Sequence, residues 1–231
     1  MHRMFSTFLD PNFAGAFFVL FFLFIVNLFL KKKNIFMGLL LILTLAAIFL
    51  TFSRSALIML IVSSSLLFIL QNKKRMIVLL LSIILLVLII SSRYYSIENI
   101  NLFRVVSSEA RLETAGNAIK IIKGNPFLGV GFNSYRYAQL RYGFRNDKAL
   151  NVSHADAGTD NSFLFVLAAT GAVGFIAYLF LWYRILKRYL FSALVMSSML
   201  GIFLNSLFLN SLFYPSVMVW IWILLATTQK K

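Results

Sequence analysis

The chain has no cysteine, which excludes disulfides and thiolate metal sites and leaves the redox compartment open. Charge is scarce. Only 13% of the 231 residues are charged, against about 25% in a soluble domain. Acids are scarcer still, 7 against 22 basic residues, and all but Asp10 fall between residues 98 and 160. No small-residue cleavage site follows the first apolar run, so no cleavable signal peptide is read. Phosphate loops and dinucleotide fingerprints are missing too. Gly129-Val-Gly131 lacks a third glycine and a preceding strand. His154, Asp156 and Asp160 suggest a divalent cation, but their spacing matches no metal site, and neither metal nor cofactor is expected.

What the chain has is hydrocarbon. It is 61% hydrophobic with a mean hydropathy of +0.88. A crossing helix needs about 20 apolar residues, and seven crossings are read at 12–30, 35–52, 55–70, 76–92, 161–183, 190–208 and 214–228. The third is short and carries Ser63, Ser64 and Ser65, so it is expected to be thinned, tilted or partly irregular. Asn205 and Asn210 make the sixth the most polar. The expected fold is all-α, a polytopic transmembrane bundle with one large, partly helical outer loop. Its parts are 1–92 (four spans), 93–160 (loop) and 161–231 (three spans).

The net charge of +15 is no nucleic-acid signal, because the basic residues cluster between apolar runs. Lys31 to Lys33, then Lys73, Lys74 and Arg75, then Arg184, Lys187 and Arg188, and finally Lys230 and Lys231 all occupy alternate connectors. The positive-inside bias makes that side cytoplasmic. The N-terminus, the turn at 51–55 and the 91–160 loop then face outward, and the C-terminus faces inward. Trp182, Tyr183, Tyr214, Trp220 and Trp222 lie near span ends, as interfacial aromatics do. An outside N-terminus that starts with Met leads to the expectation of further spans upstream.

A loop this long carries its own structure or a function. Ser107 and Ser108 suit a helix cap, with Glu109 in the first turn. Leu112, Ala115, Ile119 and Ile122 recur at helical spacing over 108–123, and Gly124 and Pro126 suit its end. This helix is expected along the membrane surface, with Arg111 and Ala118 on another face and Arg111 turned into a cleft. Gly129 and Gly131 read as a tight backbone passage. A second short helix over 133–142 carries Arg136 and Arg141 with Tyr135, Tyr137 and Tyr142. The polar run 151–160 delivers His154, Asp156 and Asp160 to the mouth of the fifth span.

Arg54 is the sharpest single residue. It sits in the short turn Thr51-Phe-Ser-Arg-Ser55 at headgroup depth, where a guanidinium matches phosphate oxygens bidentately. A snorkelling arginine at a helix end fits the same position. Arg111 by itself fits a solvated helix residue, and His154, able to act as a base near neutral pH, also fits a plain surface histidine. Asp160-Asn161 fits a helix N-cap pair.

Taken together, several segments resemble the O-antigen ligase-related family of bacterial membrane glycosyltransferases, which includes Wzy-type polymerases and lipopolysaccharide ligases. They are Ser6-Thr-Phe-Leu-Asp-Pro-Asn-Phe-Ala14, Thr51-Phe-Ser-Arg-Ser-Ala56, Arg111 opening a helix, Asn125-Pro-Phe-Leu-Gly-Val-Gly131, Asp160-Asn-Ser-Phe-Leu164 and Thr170-Gly-Ala-Val-Gly174. The resemblance implies a metal-independent enzyme that moves a glycan from a polyprenyl diphosphate-linked donor to a glycan or lipid acceptor. It implies the bilayer and other envelope polysaccharide assembly proteins as partners, and no nucleic acid. By the same resemblance Arg54 and Arg111 hold the diphosphate, with Arg136, Arg141 and Asn161 as weaker substrate contacts. The family's loop histidine is directly followed by Asn. Here that place is Asp160-Asn161 and the nearest His is His154, so the base stays open between His154 and Asp160. Family members usually have about ten or more spans, and this chain supplies the second half.

Two rival classes remain. A flippase or transporter for a lipid-linked glycan predicts charged or broken helices at mid-membrane, and the spans carry no clear midplane charge. A non-catalytic assembly subunit fits a chain of this length.

Overall fold

The computed structural model describes residues 4, 6–8, 10–94, 106–145 and 158–228. All regular structure among them is helical: nine α-helices and two short 3-10 turns, with no strand. The helices are α1 (Pro11–Lys31), α2 (Ile35–Leu50), α3 (Arg54–Leu70), α4 (Arg75–Tyr94), α5 (Val106–Gly124), α6 (Tyr135–Arg141), α7 (Ser162–Arg188), α8 (Ala193–Asn205) and α9 (Pro215–Thr228). Of these, α1 and α7 are long and apolar enough to cross a membrane by length and composition. The others that fall on expected crossings are shorter apolar helices.

Helix starts follow local chemistry. Asp10 accepts from the Asn12 N–H at 2.6 Å and Pro11 fills the first position of α1, where its missing N–H costs nothing. Asn34 caps α2 through the Phe36 N–H, and Ser53 caps α3 through the Ala56 N–H. Three expectations need correcting. The serine run does not disturb α3, because Ser63 returns its hydroxyl to the Met59 carbonyl at 2.5 Å. α5 opens at Val106, so Ser107 and Ser108 lie in its first turn instead of capping it. The polar sixth run holds only a short helix, which ends at Asn205 and leaves Asn210 beyond it.

The chain divides into two compact units. The first comprises Met1–Arg104, Tyr189–Asn205 and Tyr214–Lys231. In it α3 packs chiefly on α8, and α1 on α2 and α3. Gly201 makes the α3–α8 approach possible, since a Cβ there would lie 2.8 Å from the Ser63 Cβ. Small residues at such seams let helices meet closely where hydrocarbon gives no hydrophobic drive. Trp220 of α9 meets Phe17, Phe21 and Phe24 of α1 edge-on. Trp220 is therefore a half-buried packing residue, and Trp182 is buried.

The second unit comprises Val105–Arg188 and Ser206–Phe213. Ala118 and Ile121 of α5, Tyr135 and Ala138 of α6, and Ala168 of α7 form its core. The two faces of α5 separate as its periodicity suggests. Leu112 and Ile119 are exposed, while the side bearing Ala118 packs inward. The fifth apolar run departs from a simple span. α7 continues to Arg188 and is broken at Gly171, where φ is +63° and ψ is −169°. The break removes the bonds from the Ala172 and Val173 N–H groups to the Ala168 and Ala169 carbonyls. The segment 126–131 replaces them. Val130 and Gly131 donate to Ala168 and Ala169 at 2.9 Å each. Ala172 and Val173 donate to Pro126 and Phe127 at 2.8 and 3.2 Å. Gly129, at φ +66°, leaves room for this contact.

Gly171→Ala puts a side chain at positive φ and into the Phe127 carbonyl. It is expected to cost at least about 1–3 kcal/mol, read as a lower unfolding temperature of the detergent-extracted protein. Gly116→Ala, with nothing within 4 Å of the new carbon, serves as a comparison inside α5 and is expected to hold or raise that temperature. Equal behaviour of the two variants would refute the splice as a structural requirement.

Candidate functional site

In the first unit, the turn that carries Arg54 is built from buried polar groups. Thr51, Ser53 and Ser55 are all buried. Thr51 donates to the Ile48 carbonyl at 2.7 Å and accepts from the Ser53 N–H at 3.3 Å. The Ser53 hydroxyl donates to Asn12 Oδ1 at 3.0 Å and lies 3.2 Å from the Ser55 hydroxyl. Phe52, at φ +48°, makes the sharp reversal. Gly15 completes the joint, because a Cβ there would meet Ala56 at 2.7 Å and the Thr51 hydroxyl at 3.0 Å. Two segments some 40 residues apart, the Asp-Pro-Asn of α1 and the Ser-Arg-Ser of α3, are therefore one structural feature. Arg54 stands half-buried at the first position of α3, where the helix end carries partial positive charge.

In the second unit, Arg111 and Asp160 belong to one neighbourhood. Arg111 is half-buried on α5. One turn later, Thr114 donates to the Arg111 carbonyl at 3.0 Å and reaches Asp160 Oδ2 at 3.4 Å. Asp160 lies two residues before α7, and Asn161 between them caps that helix. Asn161 Oδ1 accepts from the Phe163 and Leu164 N–H groups at 2.9 and 3.0 Å, and its Nδ2 donates to the Leu207 carbonyl at 3.1 Å. The amide of Asn161 is thus engaged at both ends in holding the start of α7.

Tyr135 is the second residue set against Asp160. Its side chain is 2% exposed and its ring meets Phe165 edge-on. Burial pushes its phenol up to about 12. The Thr159 hydroxyl opposes that rise and the Asp160 carboxylate adds to it. Arg136 is half-buried, with Nε buried and without a hydrogen-bond partner among the described residues. Arg141 is exposed at the end of α6. His154 and Asp156 lie outside the described residues.

Thr114 and Tyr135 are the site neighbours that sequence reasoning passed over. Thr114 had a signal. Arg111, Thr114, Ala118 and Ile121 also recur at helical spacing, so two faces of α5 were open. Tyr135 was visible only as one tyrosine among several.

A family model described as O-antigen ligase matches residues 39–179. That match covers more than half of the chain. The chain belongs to the O-antigen ligase family. The matched stretch includes Arg54, Arg111, Asp160 and both halves of the Gly129–Gly171 splice, while the Asp10-Pro-Asn12 segment lies before it. The curated proteins contain no match to the chain. Membership of the O-antigen ligase family makes this a glycan-transferring membrane enzyme of polysaccharide assembly.

The Tyr135 phenol gives an alkaline prediction. Its pKa in the folded protein lies above the ordinary value of 10.0, so the folded chain keeps a proton that the unfolded chain loses. This contribution to stability is complete below pH 10 and is lost as pH rises toward 12. Tyr135→Phe is expected to flatten the fall of unfolding temperature with pH across that window. An unchanged slope would contradict the burial of this hydroxyl.

Proposed function

We propose that this chain polymerises or ligates surface polysaccharide, transferring a glycan from a polyprenyl diphosphate-linked donor to a hydroxyl of a glycan or lipid acceptor. The reaction is assigned to the outer face of the cytoplasmic membrane. It belongs to the 93–160 loop and the adjoining span ends, in a chain whose apolar helices form seven crossings. The observation that carries the reading is that Thr114, one turn after Arg111 on α5, reaches the Asp160 carboxylate just before α7, in a member of the O-antigen ligase family.

The chemistry follows from the residue types. The acceptor oxygen attacks the anomeric carbon while the bond from that carbon to the diphosphate oxygen breaks. The diphosphate leaves with the electron pair, so negative charge grows on its oxygens. Arg54 and Arg111 are assigned to that charge, because donors held in advance at the leaving group lower the barrier. The partial positive end of α3 adds to Arg54. Asp160 or His154 takes the acceptor's proton. Thr114 would hold the Asp160 carboxylate in place, with the Tyr135 phenol beside it. Arg136 and Arg141 remain candidates for further contacts with donor or acceptor, and Asn161 fixes the backbone beside Asp160.

The test is glycan transfer in membranes containing the complete protein at normal abundance. Arg54→Ala and Arg111→Ala are each expected to lower transfer about 10²–10³-fold, the loss typical of one removed charge-stabilising donor. Arg→Lys at either position is expected to restore only part of it, since a lysine cannot bind two oxygens through a planar fork. Polymer of wild-type length and amount from both alanine variants would reject the assignment.

A further inference from the structure

We propose that the segment from Pro126 to Phe132 is a re-entrant loop, with Phe127, Leu128 and Phe132 seated among lipid acyl chains beside α7. The proposal rests on α7 being a membrane span, and the experiment below separates the two.

Four observations converge on it. Phe127, Leu128 and Phe132 are 73%, 76% and 95% exposed within one short segment. No charged residue occurs between Lys123 and Arg136. The segment is tied to α7 by the four main-chain bonds at residues 168–173. Those bonds set its depth. From Val173 to Arg184, the first basic residue at the far end, α7 rises roughly 17 Å at about 1.5 Å per residue. The hydrocarbon core is about 30 Å thick. With Arg184 at one boundary, the splice therefore lies well inside the core. The count uses only the part of α7 beyond Gly171, so the break does not affect it.

The exposed surface is also continuous with that of the span. Val173, Ile176 and Phe180 form an exposed apolar stripe on α7. Val173 heads that stripe and donates its N–H to the Phe127 carbonyl. What covers the stripe also covers the loop. Part of the segment's main chain is already bonded, as irregular main chain at membrane depth requires: the N–H groups of Gly129, Val130 and Gly131 and the carbonyls of Pro126 and Phe127 have partners, while the N–H groups of Phe127, Leu128 and Phe132 have none among the described residues.

The absence of cysteine makes the test direct. Single variants Leu128→Cys and Phe132→Cys of the full chain carry a bimane label in phosphatidylcholine vesicles. Quenching is compared between acyl-chain nitroxide lipids and aqueous iodide. Leu179→Cys on α7 and Arg141→Cys on α6 are the references. Both loop side chains touch little of the protein, so the labelled variants keep the fold. The expected result is that the loop labels follow Leu179→Cys, with lipid quenching severalfold above that of Arg141→Cys and protection from iodide. Loop labels that follow Arg141→Cys while Leu179→Cys is quenched by lipid would overturn the proposal alone. Loop labels reached by neither quencher would show a protein covering and overturn it as well. If Leu179→Cys itself escapes the lipid quencher, α7 is not a span and the proposal falls with that premise.

Discussion

The second unit depends on an exchange of main-chain hydrogen bonds at Gly171. A helix broken in an apolar environment leaves carbonyls and N–H groups that water cannot reach, each costly to bury alone. Here the two lost helical bonds are replaced by four bonds to the segment after α5. The exchange does more than repair the break. It fixes the height of that segment along α7, and through the Ala118–Ile121–Tyr135–Ala138–Ala168 core it fixes α5 and α6 as well. Thr114 meets Asp160 because of this registration. A slip of one residue along α7 would rotate the bonding groups away and separate the pair.

The first unit solves a related problem with side chains. Its turn between α2 and α3 buries Thr51, Ser53 and Ser55 between apolar helices. Their hydroxyls bond to one another, to Asn12 and to a helix carbonyl. A polar group satisfied in this way is held to a single geometry, since any displacement leaves it unpaired. Arg54 follows directly in the chain, so its backbone is set by this knot. Arginine on a free helix end explores many positions. On a knotted one its backbone keeps a single placement.

Much of this was legible in advance. Helices fall on all seven expected apolar runs and on both expected loop helices, because length and apolar content govern those assignments. The Asn161 cap and the Gly129–Gly131 passage were readable from residue type, since each is a local backbone requirement. The two faces of α5 were separable from its periodicity, but that the side bearing Ala118 and Ile121 would pack against Ala168 of α7 was not. The break at Gly171 was also hidden. A glycine within an apolar run is equally at home in a continuous membrane helix, and only its φ of +63° reveals the interruption.

The sequence by itself determined that the chain is helical and apolar, where its helices begin, and which arginines and acids stand near helix ends. These follow from composition, caps and periodicity, which are properties of neighbours along the chain. Tertiary structure alone decided that Asn12 serves Ser53, that Thr114 reaches Asp160, and that one loop mends the break in α7. Those contacts join residues some 40 positions apart. Their energy comes from satisfying polar groups away from water, and no local pattern records which distant partner will do so.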